Sequence, residues 1–218
     1  MNIKISKQVR GMRILSGDEA IQMREIIDRL VFDAIDYGFQ EIILPIVEPA
    51  EVYTDKMGSE ILNQMYTFKD KKNRDLVLRP EGTATIQLLA RETFKDYKDL
   101  RLFYVTKCYR YERPQEGRYR EFTQFGVEIL WPRDIKKAKA DLVDLSSLMV
   151  SRFVNNKDYE VQESVKRGLA YYVEDGFEIS IPKLGAQKQV CGGGAYAEGI
   201  GFAIGIDRLL LAKQAPIV

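Results

Sequence analysis

The sequence predicts an α+β domain built on a mainly antiparallel sheet flanked by helices. Three observations carry that expectation. Residues 101–130 read as one hairpin and residues 65–78 as a second. Ser16–Tyr37 and Asp134–Val154 carry apolar side chains at helical spacing. Regular alternation of strand and helix, the mark of a parallel sheet, is absent. With 218 residues, 45% of them hydrophobic, the chain can bury a sizeable core and is expected to form a single domain over 1–218.

Composition narrows the chemistry. The net charge is +1, so any contact with nucleic acid needs a local patch rather than a global field. Cys108 and Cys191 lie far apart and build no disulfide framework, which suits a reducing compartment. The start, MNIKISKQVRG, has no apolar leader-like core, and no run reaches membrane-spanning length. The expected location is cytoplasmic, with no membrane partner. The sequence contains no histidine, which removes the usual near-neutral acid–base group and the commonest metal ligand. What remains is positioning by arginines and carboxylates, with or without a bound Mg²⁺.

In order, Ile21, Ile26, Ile27, Leu30, Val31 and Ile35 give the first helix its stripe, with Ser16 or Asp18 as its cap and Gly38 ending it. Glu41–Val47 reads as a strand whose Pro45 belongs at an edge or interface. Met65–Phe68 and Asp75–Leu78 form the smaller hairpin around KDKKN. Pro80, Glu81, Gly82 and Thr83 then turn into a helix over Ala84–Glu92, with Thr83 a candidate cap. In the larger hairpin, Leu102–Val105 opens a strand. Pro114 and Gly117 mark its turn, amid Arg110, Glu112, Arg113, Glu116, Arg118 and Arg120. From Phe122 on, the period of two puts Phe122, Gln124, Glu128 and Arg120 on one face. That face offers guanidinium charge for phosphate, a ring for stacking and polar groups for a small ligand. Paired charges on a solvated hairpin are the plainer reading of the same residues. In the second long helix, Ala138, Leu142, Leu145, Leu148, Met149 and Phe153 form the stripe, and Asn155, Asn156 and Asp158 break it. Gln189–Tyr196 holds a glycine run suited to close packing, and residues 199–212 read as an apolar strand turning into a helix at Asp207.

Cys108–Glu128, CYRYERPQEGRYREFTQFGVE, resembles motif 2 of the class II aminoacyl-tRNA synthetases, in the form carried by histidyl-tRNA synthetases; motif 2 covers about 101–130. DYGFQEIILPIVEP (about 36–49) resembles motif 1, which builds the dimer interface of that family, and about 199–212 resembles motif 3. TFKDKKNRDLVLRPEGTA, the RGLAYY stretch within 165–179 and QVCGGGAY resemble the segments that bind the amino acid. These matches stand in family order from about Arg10 to the end.

The resemblance implies a class II synthetase-like antiparallel sheet and ATP-dependent formation of an aminoacyl-adenylate, with histidine as the amino acid. It implies ATP and Mg²⁺ as cofactors, with the metal ligands left open, tRNA as acceptor, and a homodimer. By residue, it implies that Arg110 holds the α-phosphate, Arg118 the β- and γ-phosphates, Glu112 the adenine edge, Phe122 the adenine face and Arg208 the γ-phosphate. Glu81 and Thr83 would hold the amino group, and Gln124 and Glu128 would recognise the amino acid, in a pocket with Tyr171, Tyr172 and Tyr196. Arg167 would bind the carboxylate and the activated phosphate, and is with Arg110 the catalytic candidate. Ala170, Ala195, Ala197 and Thr123 stand where the family carries aspartate, arginine, aspartate and histidine. The stretch from Glu128 to Arg167 is short where the family carries an insertion domain that contacts tRNA, and nothing follows motif 3 where it carries an anticodon-binding domain. Two other functions fit the same resemblance: a ligase that passes the activated amino acid, histidine or another, to a non-tRNA acceptor, and a non-catalytic regulatory or binding subunit.

Overall fold

A computed structural model of the chain describes residues 6–54, 62–166 and 170–214. Helix α1 (Asp18–Asp36) buries Met23, Ile26, Leu30 and Ala34, one stripe at helical spacing. Its N-cap position is Gly17, without a side chain to offer, rather than the expected Ser16 or Asp18. At the other end Gly38 adopts φ +79°, as a C′ residue requires. The Gly38 amide donates to Ile35 O at 2.9 Å and the Phe39 amide to Ala34 O at 3.0 Å, closing the helix and reversing the chain.

The strand expected over 41–47 is divided in two. Strand β1 (Gln40–Glu41) pairs in parallel with β5 (Leu100–Tyr109), and the Ile42 amide still donates to Phe103 O at 2.9 Å. Pro45 has no N–H to continue that ladder, and β2 (Val47–Pro49) joins a second sheet instead. A short helix, α2 (Glu51–Thr54), follows. The smaller hairpin forms as β3 (Tyr66–Lys69) and β4 (Asp75–Leu78), and the second sheet has the order β2-β4-β3. Helix α3 (Thr83–Glu92) follows β4.

The main sheet has seven strands in the order β1-β5-β6-β10-β9-β8-β7. Its members besides β1 and β5 are β6 (Glu121–Leu130), β7 (Glu160–Val165), β8 (Gly176–Ser180), β9 (Gln189–Tyr196) and β10 (Gly199–Gly205). All of its pairings except β1–β5 are antiparallel. Helix α4 (Ile135–Ser151) is capped by Asp134, which accepts from the Lys136 and Lys137 amides. A 3₁₀ segment covers Pro182–Gln187, and α5 (Ile206–Gln214) closes the described chain. Among the described residues no helix is long and apolar enough to cross a membrane.

Residues paired directly across a sheet share a face, so the register sorts the side chains. One face carries Phe103, Phe125, Val127, Ile129, Phe177, Ile179, Ile200, Phe202 and Ile204, packed with α1, α4 and α5 in the main core. The other face carries Thr106, Tyr104, Gln124, Gly126, Glu128, Gly205, Ala203, Gly201, Gly192, Gly194 and Glu178. Helix α3 covers part of that face, with Ile86 and Ala90 against Leu102, Tyr104, Leu130 and Tyr196. The remainder stays open.

Candidate functional site

The open part of that face is the floor of a cavity of about 610 Å³. The glycine run explains the floor. Gly192 on β9 and Ala203 on β10 pair across the two strands and line the cavity with Gly205, while Gly194 and Gly201 make room for neighbouring side chains. A Cβ at Gly201 would overlap the Glu128 carboxylate, and one at Gly194 would lie 2.8 Å from the Tyr172 ring. Glycine is needed at both positions for close approach.

The larger hairpin supplies one wall. Arg110, Glu112, Arg118, Phe122 and Gln124 all line the cavity. The Arg110 guanidinium sits 5.4 Å from the Phe122 ring centroid, and its Nε donates to Pro80 O at 2.9 Å. Arg118 pairs with Glu112 through Nε and Oε2. Arg208, one residue into α5 from Asp207, donates to Gly117 O at 2.8 Å, Gln189 O at 2.7 Å and Gln187 Oε1 at 2.8 Å. Burial pulls the Arg208 pKa down, and the charges of Arg110 and Arg118 add to that while Glu112 opposes it. Three guanidiniums facing one cavity favour a polyanion within it.

The residues around Glu81 suit a smaller group. Glu81, 2% exposed, accepts from the Thr83 and Ala84 amides, each at 2.7 Å. It therefore caps α3, the role expected of Thr83. The Thr83 hydroxyl donates instead to Glu128 Oε1 at 2.8 Å. Burial pushes the Glu81 carboxyl up, while the two amides and the charge of Arg110 pull it back. Tyr171 and Tyr172 pack with their rings tilted by 48°, 4.7 Å between centroids, and line the same cavity, with the Tyr171 hydroxyl 3.4 Å from Glu81 Oε2.

Ten of the expected site residues thus surround one cavity: Glu81, Thr83, Arg110, Glu112, Arg118, Phe122, Gln124, Tyr171, Tyr172 and Arg208. Tyr196 and Glu128 do not line it. They lie buried on the same sheet face, further along β6 and β9, the Tyr196 hydroxyl donating to Glu128 Oε2 at 2.9 Å. Burial pushes the Glu128 carboxyl up to about 8, its hydroxyl partners Thr83 and Tyr196 working against that. Arg167 lies outside the described residues. Arg120 turns away from the face it was expected to share, drawn over Tyr111 at 3.9 Å from the ring centroid. Gln64, Glu178, Gln187 and Lys188 also line the cavity and were not expected. For Glu178 the signal was present: buried Phe177 and Ile179 flank it, and strand alternation sends it to the other face.

The departures from the family pattern lie off the cavity wall. Ala195 is buried in the main core, on the sheet face away from the cavity, and Ala170 and Ala197 are exposed. Thr123 also points from the core face, and its amide donates to Asp207 Oδ2 at 2.6 Å.

The family model described as Histidyl-tRNA synthetase matches residues 11–161 of this chain. The histidine–tRNA ligase of Archaeoglobus fulgidus is 30% identical, over 92% of this chain and 74% of that protein. Its matched span runs to 304 residues against a chain of 218, so it carries residues inside the match that this chain lacks. The crystal structure of apo S. aureus histidyl-tRNA synthetase superimposes with TM-score 0.79 at 26% identity, covering 96% of this chain and 70% of that one. A Bacillus halodurans structure described as an ATP phosphoribosyltransferase regulatory subunit/histidyl-tRNA synthetase gives TM-score 0.81 at 17% identity, covering 99% and 85%; that likeness concerns the fold alone.

Proposed function

The chain belongs to the histidyl-tRNA synthetase family and is a ligase of the aminoacyl-tRNA synthetase type, and from that premise we propose that it activates histidine as histidyl-adenylate. The observation that carries the proposal is the charge pattern of one cavity: a buried carboxylate, Glu81, with the Arg110 guanidinium beside it, and Arg118 and Arg208 lining the same space. An amino acid bound by its ammonium at Glu81 extends its carboxylate toward a nucleotide held by the arginines. Phe122 offers a ring face for adenine beside Arg110.

The carboxylate oxygen attacks the α-phosphorus, the bond to the β-phosphate oxygen breaks, and pyrophosphate leaves. No proton moves in that step, which suits a chain without histidine. Arg110 and Arg118 neutralise charge on the phosphates as it shifts toward the leaving group, and Arg208 holds the far end. Arg167 is assigned to the substrate carboxylate on family resemblance. Among the described residues no group of three or more Asp, Glu or Cys is set to hold a metal. Mg²⁺ would arrive on the nucleotide's phosphates and supply further charge neutralisation; besides Glu81 the cavity is lined by the carboxylates of Glu112, Glu178 and Asp207.

Support for histidine as the amino acid comes from the groups that remain. Glu128 is held by Thr83 and Tyr196 and can accept from an imidazole N–H, and Gln124 lies on the same face of β6. The test is amino-acid-dependent ATP–pyrophosphate exchange, run with each amino acid in turn and again with Arg167→Ala. Exchange with histidine alone, lost in the variant, is the expected result. Exchange with a different amino acid would re-assign the pocket. No exchange from folded protein would favour a regulatory or binding subunit. The residues missing from within the matched span make a non-tRNA acceptor the question to ask once exchange is established.

We also propose that 1–218 acts as one catalytic domain and pairs through the segment like motif 1. In the second sheet Val47 and Phe68 share a face by register and are exposed, next to Ile43 at 85% and Ile46 at 45% exposure. Apolar side chains grouped in this way mark an interface. Sedimentation velocity should show a dimer that Ile43→Asp converts to monomer; a monomeric parent chain would end this part of the proposal.

A further inference from the structure

The segment ahead of α1 touches both parts of the chain that carry the cavity's arginines. The Gly11 carbonyl accepts from the Arg120 amide at 2.7 Å and the Glu121 amide at 3.4 Å. Two residues on, the Arg13 guanidinium lies over the Tyr119 ring, 3.8 Å from its centroid. One terminal nitrogen of Arg13 donates to Asp207 Oδ1 at 2.5 Å and the other to Glu19 at 3.2 Å. The second oxygen of Asp207 accepts the Thr123 amide. Tyr119 follows Arg118, Thr123 lies between Phe122 and Gln124, and Arg208 follows Asp207. One side chain therefore reaches the hairpin loop and the start of α5 and, through Asp207, strand β6.

We propose that Arg13 is a positioning residue for the nucleotide, fixing Arg118, Phe122 and Arg208 in register by stacking on Tyr119 and neutralising Asp207. This rests on the adenylate-forming reading above. Asp207 is 7% exposed at its side chain, so its charge needs a partner. Without Arg13, the guanidinium nearest in sequence is that of Arg208, and an ion pair between neighbours would compete with its bonds to Gly117, Gln187 and Gln189 and shift it in the cavity. The planar fork of arginine does two jobs here, stacking and a charged hydrogen bond, and lysine can do only the second.

A residue that served stability alone would affect both substrates alike. A positioning residue for the nucleotide would not. In Arg13→Ala, the apparent KM for ATP in exchange should rise about tenfold, the low end for losing an outer-shell partner. The amino-acid KM should stay within about twofold of the parent. Arg13→Lys should fall between. Calorimetric titration of Mg²⁺–ATP onto the same folded proteins, without amino acid, should give the same order. A chain that binds ATP but gives no exchange overturns the adenylate reading and leaves the Arg13 comparison to the titration. A chain that binds no ATP overturns both. Equal rises in both KM values that track a lower Tm, or an Arg13→Ala protein indistinguishable from the parent, overturn the proposal for Arg13.

Discussion

Glu81→Gln should raise the amino-acid KM in exchange by about a hundredfold and leave the ATP KM close to that of the parent. Glu81 is almost fully buried, and its oxygens already accept from the Thr83 and Ala84 amides. An ammonium placed there meets a fixed carboxylate in a water-poor site. Removing one partner of a buried charged pair costs about 2–5 kcal/mol, and a hundredfold corresponds to about 3 kcal/mol. Glutamine keeps one acceptor oxygen, so α3 loses one of its capping bonds and the fold loses about 1 kcal/mol. Thermal unfolding separates that loss from the effect on binding. If the ATP KM rises instead and the amino-acid KM does not, Glu81 does not hold the ammonium, and the cavity has been read in the wrong direction.

The sequence made the polar face of β6 readable because the strand period is strict. Phe122, Gln124 and Glu128 lie two or four residues apart, and the sheet places all three on the side of the cavity. The α1 stripe was readable for the equivalent reason at helical period. Residues 42–46 misled because an apolar run with a proline looks like one strand, when the chain is crossing from one sheet to the other. Strand β7 gave no signal at all. It is exposed along nearly its whole length at the sheet's end, so neither face needs apolar residues. Strand β9 was hidden by its glycines, which weaken strand propensity and are present because the cavity floor must be low. Arg13 and Asp207 are 194 positions apart, and no local pattern announces such a pair. The family resemblance recovered ten of the cavity's residues but could not say that Glu128 and Tyr196 lie buried beside it, bonded to each other.

That buried pair gives the second large effect, in stability. In the unfolded chain Glu128 titrates near 4.5; in the folded protein burial moves it to about 8. Between those values the folded protein keeps a proton that the unfolded chain has released. Stability is then fully present below about pH 4.5 and falls as pH rises through the window, by roughly 1 kcal/mol per pH unit, until Glu128 ionises near pH 8. Burial raises Glu48 and Glu81 as well, so the parent protein's slope has several contributors of one sign. Comparison with Glu128→Gln isolates one of them. Urea unfolding should give nearly equal stabilities at pH 5, and at pH 8 the glutamine variant should be more stable by a few kcal/mol. The same variant should lose amino-acid selectivity, because an amide cannot offer two acceptor oxygens to a donor N–H. A buried acceptor kept for recognition at a cost in stability accounts for both results, and binding of the amino acid at pH 7 should release a proton as Glu128 ionises against its partner. Parallel pH–stability curves for the two proteins would mean that Glu128 is not held protonated, and the tie between stability and recognition would fail with it.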